Sequence, residues 1–547
     1  MKQVFLNRCL IRWGAIAASI SSSLVLAGPA IAQQIIPDNT LPTPSSVEPG
    51  CVICLIDGGT SAGDNLFHSF TEFSVPTGGA AIFNNLDTVE TIFSRVTGSA
   101  VSDIDGLIQT NGTADLFLLN PNGILFGPNA QLNIGGSFTA STANSLIFTD
   151  GSEFSALNPQ APPLLSISPG VTWQAASNQN FATGSTLTNR GRLAVGQDLT
   201  LMADRLDVAG QLYAGEDLQL VATDSVRVRD SLDTPLVVAA EGQLWIQGDQ
   251  AIDIFALNHP ESGLFSGAAM RLQSANPVLG DARYWSGESF QITTPAGTLG
   301  ALASPNDPVV RALGDVAFDV YQGSSLHILA GGAVDIGTAI ITQPETGTPI
   351  DGFLQETILL SNGTNLDIDG SAQPTLDIRA GVSAEAVATT AIIGVDPFFD
   401  FFLDPPSLTA SATSADITIG DVFVAAPDGL VLLTNQYQPH QDLTGGDIAV
   451  TGTGSGTISD IGSGGGITLD SRADIVLASD LNSSAELAAG DITLLAEGDI
   501  ALAEGAIILA NGFSGGDIWL QSGGAIAVTA SLISSDSTSV FGTPGDI

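Results

Sequence analysis

Residues able to support chemistry are few in this 547-residue chain, and they are widely separated. Cys51 and Cys54 form a CxxC pair, a spacing that occurs in zinc sites, redox centres and local disulfides. A zinc site would need a second pair or nearby histidines, which the sequence lacks. A redox centre would need a helix start, whereas the surrounding residues indicate a strand. In an oxidising compartment a small local disulfide is predicted, and two free thiols are the alternative.

The histidines do not form a catalytic cluster. They lie at positions 68, 259, 327 and 440, and no nucleophile elbow, metal-binding pair or phosphate loop accompanies them. His68 lies between Phe67 and Phe70, where a packed structural role is predicted. We therefore predict no catalytic residue and no cofactor.

Acidic residues dominate the charge of the chain. With 57 Asp+Glu against 14 Lys+Arg, the formal net charge is −43. Such a charge repels phosphate backbones and anionic membrane surfaces, so no nucleic-acid partner is expected. The preferred interpretation is a charge that keeps a long chain soluble. The alternative is divalent cation binding, with the pairs Asp103/Asp105 and Asp367/Asp369 as candidates, but no complete calcium-loop spacing accompanies them.

Residues 1–32 have the three parts of a secretory signal peptide. Lys2, Arg8 and Arg12 are basic, a short apolar stretch follows, and Ala30-Ile31-Ala32 is a cleavage motif. The apolar stretch is too short and too rich in serine for a membrane anchor. We predict export with cleavage before Gln33. The mature chain then loses three basic residues, which leaves a formal charge of 11 − 57 = −46.

The elements that must position these residues are short strands. Apolar residues alternate with polar ones, as in Leu199-Thr200-Leu201 and Leu218-Gln219-Leu220, and Gly, Asp and Asn separate the runs. A Gly-x-Asp-Leu signature recurs with its aspartates at Asp198 and Asp217, and looser Gly-Asp-Ile copies end the chain. A period near twenty residues with several strands per unit is typical of a solenoid. We expect each aspartate to bond to its own local backbone and hold a corner.

Three stretches interrupt the repeat: 342–352 is expected to be a loop, and the other two define the predicted domains. The Pro- and Ser-rich stretch 158–169 separates a domain at 33–165 from repeats at 166–380. Residues 381–415 contain four phenylalanines within an Asp- and Pro-rich segment, which we interpret as an insertion outside the repeats at 416–547. A packed loop is favoured for this insertion over an adhesive patch. The chain stops in the middle of a repeat unit, which indicates a truncated end.

A turn between two apolar runs is the most informative local motif. In Asn120-Pro121-Asn122-Gly123-Ile124, Pro121 suits the second position of a turn, Asn122 the third and Gly123 the fourth. Other blocks flank it in a characteristic order: Asn65 to Phe73, Ile92 to Gly98 and Gly127 to Phe138. Together these blocks resemble the amino-terminal secretion domain of the filamentous-haemagglutinin family, the exported partners of two-partner secretion systems.

The resemblance implies a fold. Members of this family are all-β, right-handed parallel β-helices with an amino-terminal cap and some strands outside the helix. The cap and first-coil residues carried over are Asn65, Leu66, Phe67, His68, Phe70 and Phe73. A cap covers the open edge of the first coil, which would otherwise invite aggregation. The Asn120–Ile124 motif is expected to shape a coil corner rather than to contact a partner.

The resemblance also implies a partner and a location. An outer-membrane β-barrel transporter of the Omp85 type, with periplasmic domains, recognises this domain before the chain crosses unfolded. Many members carry a second, earlier Asn-Pro-Asn-Leu motif, but here the comparable residues read Asn84-Asn85-Leu86-Asp87. This difference bears on the transporter subclass. The product is expected outside the cell or on its surface.

We therefore predict a non-catalytic adhesin-type exoprotein that binds a host, neighbouring-cell or matrix surface. Two alternatives remain open. Parallel β-helices also occur in polysaccharide lyases and glycosidases, which use carboxylates, calcium or an arginine on one face. Arg379 would be the arginine to test. The second alternative is that the chain is the amino-terminal part of a longer exported toxin or effector.

Overall fold

A computed structural model of the chain describes residues 35–148, 151–159, 180–306, 308–346, 355–388, 412–424, 429–452, 458–460, 465–529, 531–537 and 544–547. The predicted leader, with Ala30 and Ala32, lies outside these residues. No helix within them is long and apolar enough to cross a membrane. Nearly all regular structure is strand, and the strands of successive coils pair in parallel.

Each coil contributes strands to three parallel sheets in a fixed order. Leu199 pairs with Leu218 in the first sheet, Leu206 with Val226 in the second, and Leu212 with Val238 in the third. Some strands bend at a corner and serve both the first and the second sheet, as Leu199–Val208 does at Ala203/Arg205. This architecture is a parallel β-helix, as the alternating runs and the resemblance predict.

The strand bounds follow the chain through the three sheets. The first sheet contains Asn65–Glu72, Thr91–Val96, Asp115–Leu119, Phe138–Ser141, Leu199–Val208, Leu218–Arg229, Leu244–Gly248, Met270–Gln273, Phe290–Thr293, Val316–Gly323, Val334–Ile341, Ile417–Val424, Ile448–Val450, Ile475–Leu477, Ile500–Leu502 and Ile526–Val528. The second sheet shares the bent strands Leu199–Val208, Leu218–Arg229, Val316–Gly323, Val334–Ile341 and Ile417–Val424, and adds Ser102–Ile104, Ile124–Phe126, Thr186–Asn189, Ala251–Phe255, Val278–Asp281, Ala301–Ser304, Ile458–Asp460, Leu481–Asn482, Ile507–Leu509 and Leu532–Ser534. The third sheet is divided into two parts whose strands do not pair with each other. The first part contains Ile53–Gly58, Ala80–Phe83, Leu107–Thr110 and Gln131–Asn133. The second part contains Arg192–Val195, Gln211–Ala214, Val237–Ala240, Gly263–Ser266, Arg283–Ser286, Val309–Ala312, Leu326–Ala330, Thr375–Arg379, Leu430–Thr434, Gly466–Ser471, Ile492–Ala496 and Ile518–Ser522.

A cap of antiparallel strands covers the start of the helix. Ile36–Pro37 and Thr60–Ala62 both pair with Asn65–Glu72, the first strand of the first sheet. Ser45–Ser46 pairs with the end of Ile53–Gly58 in the third sheet. These strands use backbone groups that an open first coil would leave unpaired. The predicted all-β fold with an amino-terminal cap and strands outside the helix is confirmed.

The core is a set of stacked columns of apolar side chains. In the first sheet, Leu218, Leu244, Met270 and Phe290 occupy equivalent positions in successive coils, and each is at most 1% exposed. Burying one such side chain stabilises the fold by about 1.5–3 kcal/mol. The alternating sequence therefore gives one apolar interior, which runs through consecutive coils.

Two hairpins leave the coils and pack on their outer surfaces. Ser145–Ile147 pairs antiparallel with Glu153–Ser155, between a first-sheet strand and its second-sheet successor. Gln355–Leu359 pairs antiparallel with Asn365–Asp369. This second hairpin lies within the predicted repeats at 166–380, and its residues 355–369 form strands outside the helix. Most of the predicted insertion at 381–415 lies outside the described residues, apart from 381–388, which include the helix Ala384–Ala388, and 412–415.

Coil length varies more than the sequence predicts. The register steps from Leu199 to Leu218, but from Ile448 to Ile475 later in the chain. Asp315 and Asp335 are twenty residues apart but do not occupy equivalent positions, since Val316 pairs with Val334 and Asp335 lies within the strand. The copies that end the chain occupy different corners: Asp447 precedes a first-sheet strand, whereas Asp491 and Asp517 precede third-sheet strands.

Candidate functional site

The Asn-Pro-Asn-Gly motif forms the corner between a first-sheet and a second-sheet strand. It follows Asp115–Leu119 and precedes Ile124–Phe126. The amide of Gly123 donates to the Asn120 carbonyl at 3.1 Å, which closes the predicted turn. Gly123 has φ +119°, and a Cβ there would lie 3.1 Å from the Thr186 carbonyl oxygen of the next coil. Glycine is therefore required by both conformation and space.

Asn120 is the centre of this corner. Its side-chain amide donates to the Ala100 carbonyl at 3.0 Å and to Ser102 Oγ at 2.9 Å, in the preceding coil. Its Oδ1 accepts from the backbone amide of Asn122 at 3.0 Å. The side chain is 0% exposed, so these bonds replace all its contacts with water. Asn120 thus joins two coils at a bend.

The five motif residues differ in their accessibility. Asn120, Pro121, Gly123 and Ile124 are buried, whereas Asn122 is exposed. Asn122 donates from Nδ2 to the Gly98 carbonyl at 2.8 Å. Four of the five residues are thus unavailable to a partner that meets the folded domain.

The predicted cap and first-coil residues separate into two hydrophobic clusters. Leu66, Phe70 and Phe73 are buried in the main core. Phe67 belongs to a second cluster outside the helix, where its ring lies 5.1 Å from those of Phe93 and Phe154. The hairpin 145–155 supplies the other side of that cluster. Asn65 begins the first strand, opposite Thr91 of the next coil.

His68 is buried at the end of the main core, between cap and coil. It is 1% exposed, its Nδ1 lies 2.9 Å from Ser45 Oγ, and its ring stacks on Phe70. Burial lowers the pKa of His68 to about 4, because the charged imidazolium is poorly solvated there. The imidazole is therefore neutral near pH 7.

Sequence reasoning missed a buried arginine that links the cap, the coils and the hairpin. Arg95 is 0% exposed and donates to Ser69 Oγ at 3.0 Å, to the Ser155 carbonyl at 2.6 Å and to Thr40 Oγ1 at 3.0 Å. Its guanidinium lies 4.3 Å from the centroid of Phe154. Burial lowers the pKa of Arg95 to about 10. In the sequence, the feature that points to this role is a charged residue within the apolar block 92–98.

Asp38 completes this network without touching the arginine. Its two carboxylate oxygens accept from the hydroxyls of Thr40, Ser69 and Thr97, at 2.7, 2.8 and 2.6 Å. Burial alone would raise the pKa of Asp38, but the hydroxyl and amide donors outweigh it and hold the pKa below its usual value. The negative charge is therefore retained, and it offsets Arg95 through shared hydroxyls.

The two mature cysteines lie together beside the cap. Cys51 and Cys54 form a disulfide with a Cα–Cα distance of 5.2 Å. Cys54 faces the core from the strand Ile53–Gly58. The bridge encloses only Val52 and Ile53, so it is a local constraint on the entry to the third sheet.

The corner aspartates bond between coils, which corrects the expected local bond. Asp447 Oδ1 accepts from the amide of Asp474 at 3.0 Å, and Asp474 Oδ1 accepts from that of Asp499 at 2.7 Å. The ladder begins at Asp416, which accepts from the Asp447 amide at 2.9 Å, and ends at Ala525, whose amide donates to Asp499 at 2.7 Å. Each carboxylate therefore binds the backbone amide of the following coil.

Three of the four carboxylates proposed to bind cations accept hydrogen bonds from protein side chains. Asp105 accepts from the side chains of Thr77 and Asn129, and Asp103 donates its amide to Ser74 Oγ. Asp367 and Asp369 belong to the hairpin 355–369 and accept from hydroxyls of that hairpin and its flank. In the described part of the chain, no group of three or more His, Cys, Asp or Glu side chains is placed to hold a metal ion.

Arg379, the arginine that a lyase would need, lies beneath the second hairpin. It is 0% exposed and donates to Asp377 Oδ2 at 2.9 Å and to Glu356 Oε2 at 2.7 Å. His327 Nδ1 lies 3.2 Å from Asp377 Oδ2. Burial alone would raise the pKa of Asp377, but Arg379 outweighs it and lowers that pKa. The cluster is a closed ion-pair network that fixes the hairpin.

Comparison with known proteins agrees with these features. The TPS secretion domain family, in which TPS denotes two-partner secretion, matches residues 33–292. That span includes the cap, the Asn120 corner and the coils beyond residue 165. No curated protein matches the sequence.

A solved structure also matches. The HMW1 secretion domain from Haemophilus influenzae is 13% identical, with a TM-score of 0.27 over 92% of this chain and 99% of that chain. The family match, together with the capped helix and its Asn-Pro-Asn-Gly corner, shows that residues 33–292 of this protein carry a TPS secretion domain.

Proposed function

We propose that an outer-membrane transporter of the two-partner type recognises the amino-terminal domain and exports the chain. The observation that carries this proposal is the TPS match over residues 33–292. The partner is a β-barrel with periplasmic domains, of the Omp85 type. The leader at residues 1–32 would bring the chain to the periplasm, where cleavage before Gln33 releases it.

The buried corner indicates how recognition works. Because Asn120, Pro121, Gly123 and Ile124 are enclosed in the folded domain, the transporter would contact them only before the coil closes. In the folded state their role is to set the bend. The disulfide spans only four residues, so it adds little width to a chain that crosses unfolded.

Outside the cell, coil-by-coil folding would favour one-way movement. Each new coil pairs with the previous one and donates its corner amide to an aspartate of that previous coil, such as Asp447 or Asp474. A folded coil does not re-enter a narrow pore, so folding opposes back-sliding. The parallel β-helix then remains as an extended surface, which we propose acts in adhesion without catalytic chemistry.

The proposed boundaries are a secretion domain at 33–165 and a helical shaft at 166–380 and 416–547. In the sequence, residue 165 falls between the strands Phe138–Ser141 and Thr186–Asn189, which belong to one coil. Truncation after residue 165 therefore tests whether the first coils suffice for recognition.

An export assay tests the proposal. The full chain is produced in cells with and without the partner barrel, and the protein is measured in periplasm and medium. Release that depends on the barrel is expected, together with a mature amino terminus at Gln33. Equal release in both strains would contradict the proposal. A signal-peptide deletion serves as the control, because it should keep the chain in the cytoplasm.

A further inference from the structure

The outer face of the first sheet contains a polar and aromatic column. Gln219, Trp245, Arg271 and Gln291 occupy equivalent positions in four successive strands. In-register strands lie about 4.8 Å apart, so these side chains form one continuous row along the helix axis. A second row beside it contains Gln247 and Gln273.

A depression lies within this row. It has a volume of about 310 Å³, and Gln243, Trp245, Arg271, Ser289 and Gln291 contribute to its lining. Ala269 lies between the larger side chains and leaves the space open. Pockets for small ligands measure roughly 300–1,000 Å³, so this one matches a ligand of one or two sugar rings.

Several hydrogen-bonding groups of the side chains that line the depression have no partner within the described ranges. Trp245 Nε1 is buried, and no partner for it exists among the described residues. Buried indole N–H groups usually have an acceptor. The side-chain amides of Gln243 and Gln291 make no hydrogen bond within the described ranges, so donors and acceptors are both available.

Arg271 differs from the other exposed arginines nearby. Arg190, Arg205 and Arg229 are paired with Asp207, Asp224 and Asp253 at 2.5–2.6 Å. Arg271 is exposed, and its Nε donates to Thr293 Oγ1 at 3.2 Å. In the described structure it forms no ion pair with an acid, which leaves its terminal N–H groups for a ligand.

We propose that the depression at Trp245, Arg271 and Gln291 binds an uncharged polysaccharide. The indole ring stacks on the apolar face of a pyranose, while the guanidinium and the amides bond to its hydroxyls. The net charge of −43 repels polyanions, so a neutral chain is the preferred ligand. The row along the axis places further amides beneath neighbouring sugar units. This inference names the ligand class for the adhesion in the proposed function and rests on it.

Affinity electrophoresis of the purified mature chain tests the inference. Native gels contain hydroxyethyl cellulose, galactomannan or dextran, with polygalacturonate as the acidic comparison. We expect at least one neutral polymer to retard the protein. Trp245→Ala and Arg271→Ala should each weaken the interaction at least tenfold. Trp519→Ala is the matched control, since Trp519 is 58% exposed on the third sheet, away from the row, and should bind normally.

Three outcomes would overturn the inference. They are no retardation by any neutral polymer, equal retardation of wild type and both variants, or retardation by polygalacturonate alone. Circular dichroism checks the fold, and Arg271→Gln is the substitute if Trp245→Ala unfolds. Binding is measured on purified protein and export on cells, so failure of one proposal is distinct from failure of the other.

Discussion

The guanidinium of Arg95 lies 4.3 Å from the centre of the Phe154 ring, which joins the second coil to a hairpin outside the helix. The same side chain bonds to the cap at Thr40 and to the first coil at Ser69. Three segments that are distant in sequence therefore depend on one buried cation.

Replacement of Arg95 should loosen the cap and the hairpin together. Arg95→Ala leaves Asp38 without a compensating charge, and removing one member of a buried charge network costs about 3–5 kcal/mol. Arg95→Lys should also destabilise, because an ammonium cannot reach the same three acceptors. Urea unfolding of the mature chain measures this. Arg190→Ala, which breaks an exposed pair with Asp207, should leave the midpoint close to wild type. Equal midpoints for all variants would contradict the role of Arg95.

Asn120 and Asn122 provide a matched pair within one motif. Asn120→Ala leaves the buried hydroxyl of Ser102 without its donor, at a cost of about 1–3 kcal/mol, and also removes the bond to the Ala100 carbonyl. Asn122→Ala affects an exposed residue and should cost less. Thermal unfolding compares the two. A larger loss for Asn122 would show that the corner is not held as described.

His68 should make the cap sensitive to acid. Its pKa of about 4 in the folded chain lies below the ordinary value of 6.5, so the unfolded chain binds the proton first. Stability should therefore fall as pH decreases from 6.5 towards 4, by up to about 3 kcal/mol from this group. The melting temperature of wild type and of His68→Gln is measured from pH 7 to pH 4.5. The variant should lose less over this range, and parallel curves would exclude His68 as the cause.

Two core tyrosines should respond oppositely to loss of their hydroxyls. Tyr284 Oη is buried without a partner in the described residues, whereas Tyr321 Oη donates to the Ser324 carbonyl at 2.8 Å. Tyr284→Phe should be neutral or stabilising, while Tyr321→Phe should cost about 1 kcal/mol. Denaturant midpoints of the two variants provide the measurement, and a loss in Tyr284→Phe would reveal a partner for that hydroxyl.

The aspartate ladder predicts a difference between two substitutions at Asp474. Asp474→Asn keeps an oxygen acceptor for the Asp499 amide, whereas Asp474→Ala removes it, at about 0.5–1.5 kcal/mol. Asparagine should therefore be tolerated and alanine should lower the urea midpoint. If both variants matched wild type, the inter-coil bond would contribute nothing to stability.

Local patterns in the sequence were enough to predict the strands and the turn. The alternation of Leu199-Thr200-Leu201 gives the inward positions, and Pro121 with Gly123 gives the bend. The partner of Asp447 was not accessible this way, because it lies one coil on and the step between coils varies. Alternation does not distinguish a coil strand from a hairpin strand either, so the sequence does not show that residues 355–369 lie outside the helix. The linking role of Arg95 could not be predicted from the sequence, because its three hydrogen-bond partners come from other segments.

The ladder has a consequence for how such proteins change over generations. Asp474 takes an amide from the following coil and gives its own to the preceding one, as Asp447 and Asp499 also do. A coil that forms the same hydrogen bond with the coil before it and with the coil after it is interchangeable with its neighbours. Duplication or deletion of the gene segment that encodes one coil would leave every hydrogen bond between coils in place. Lineages can therefore alter the length of the molecule in single steps without changing its core.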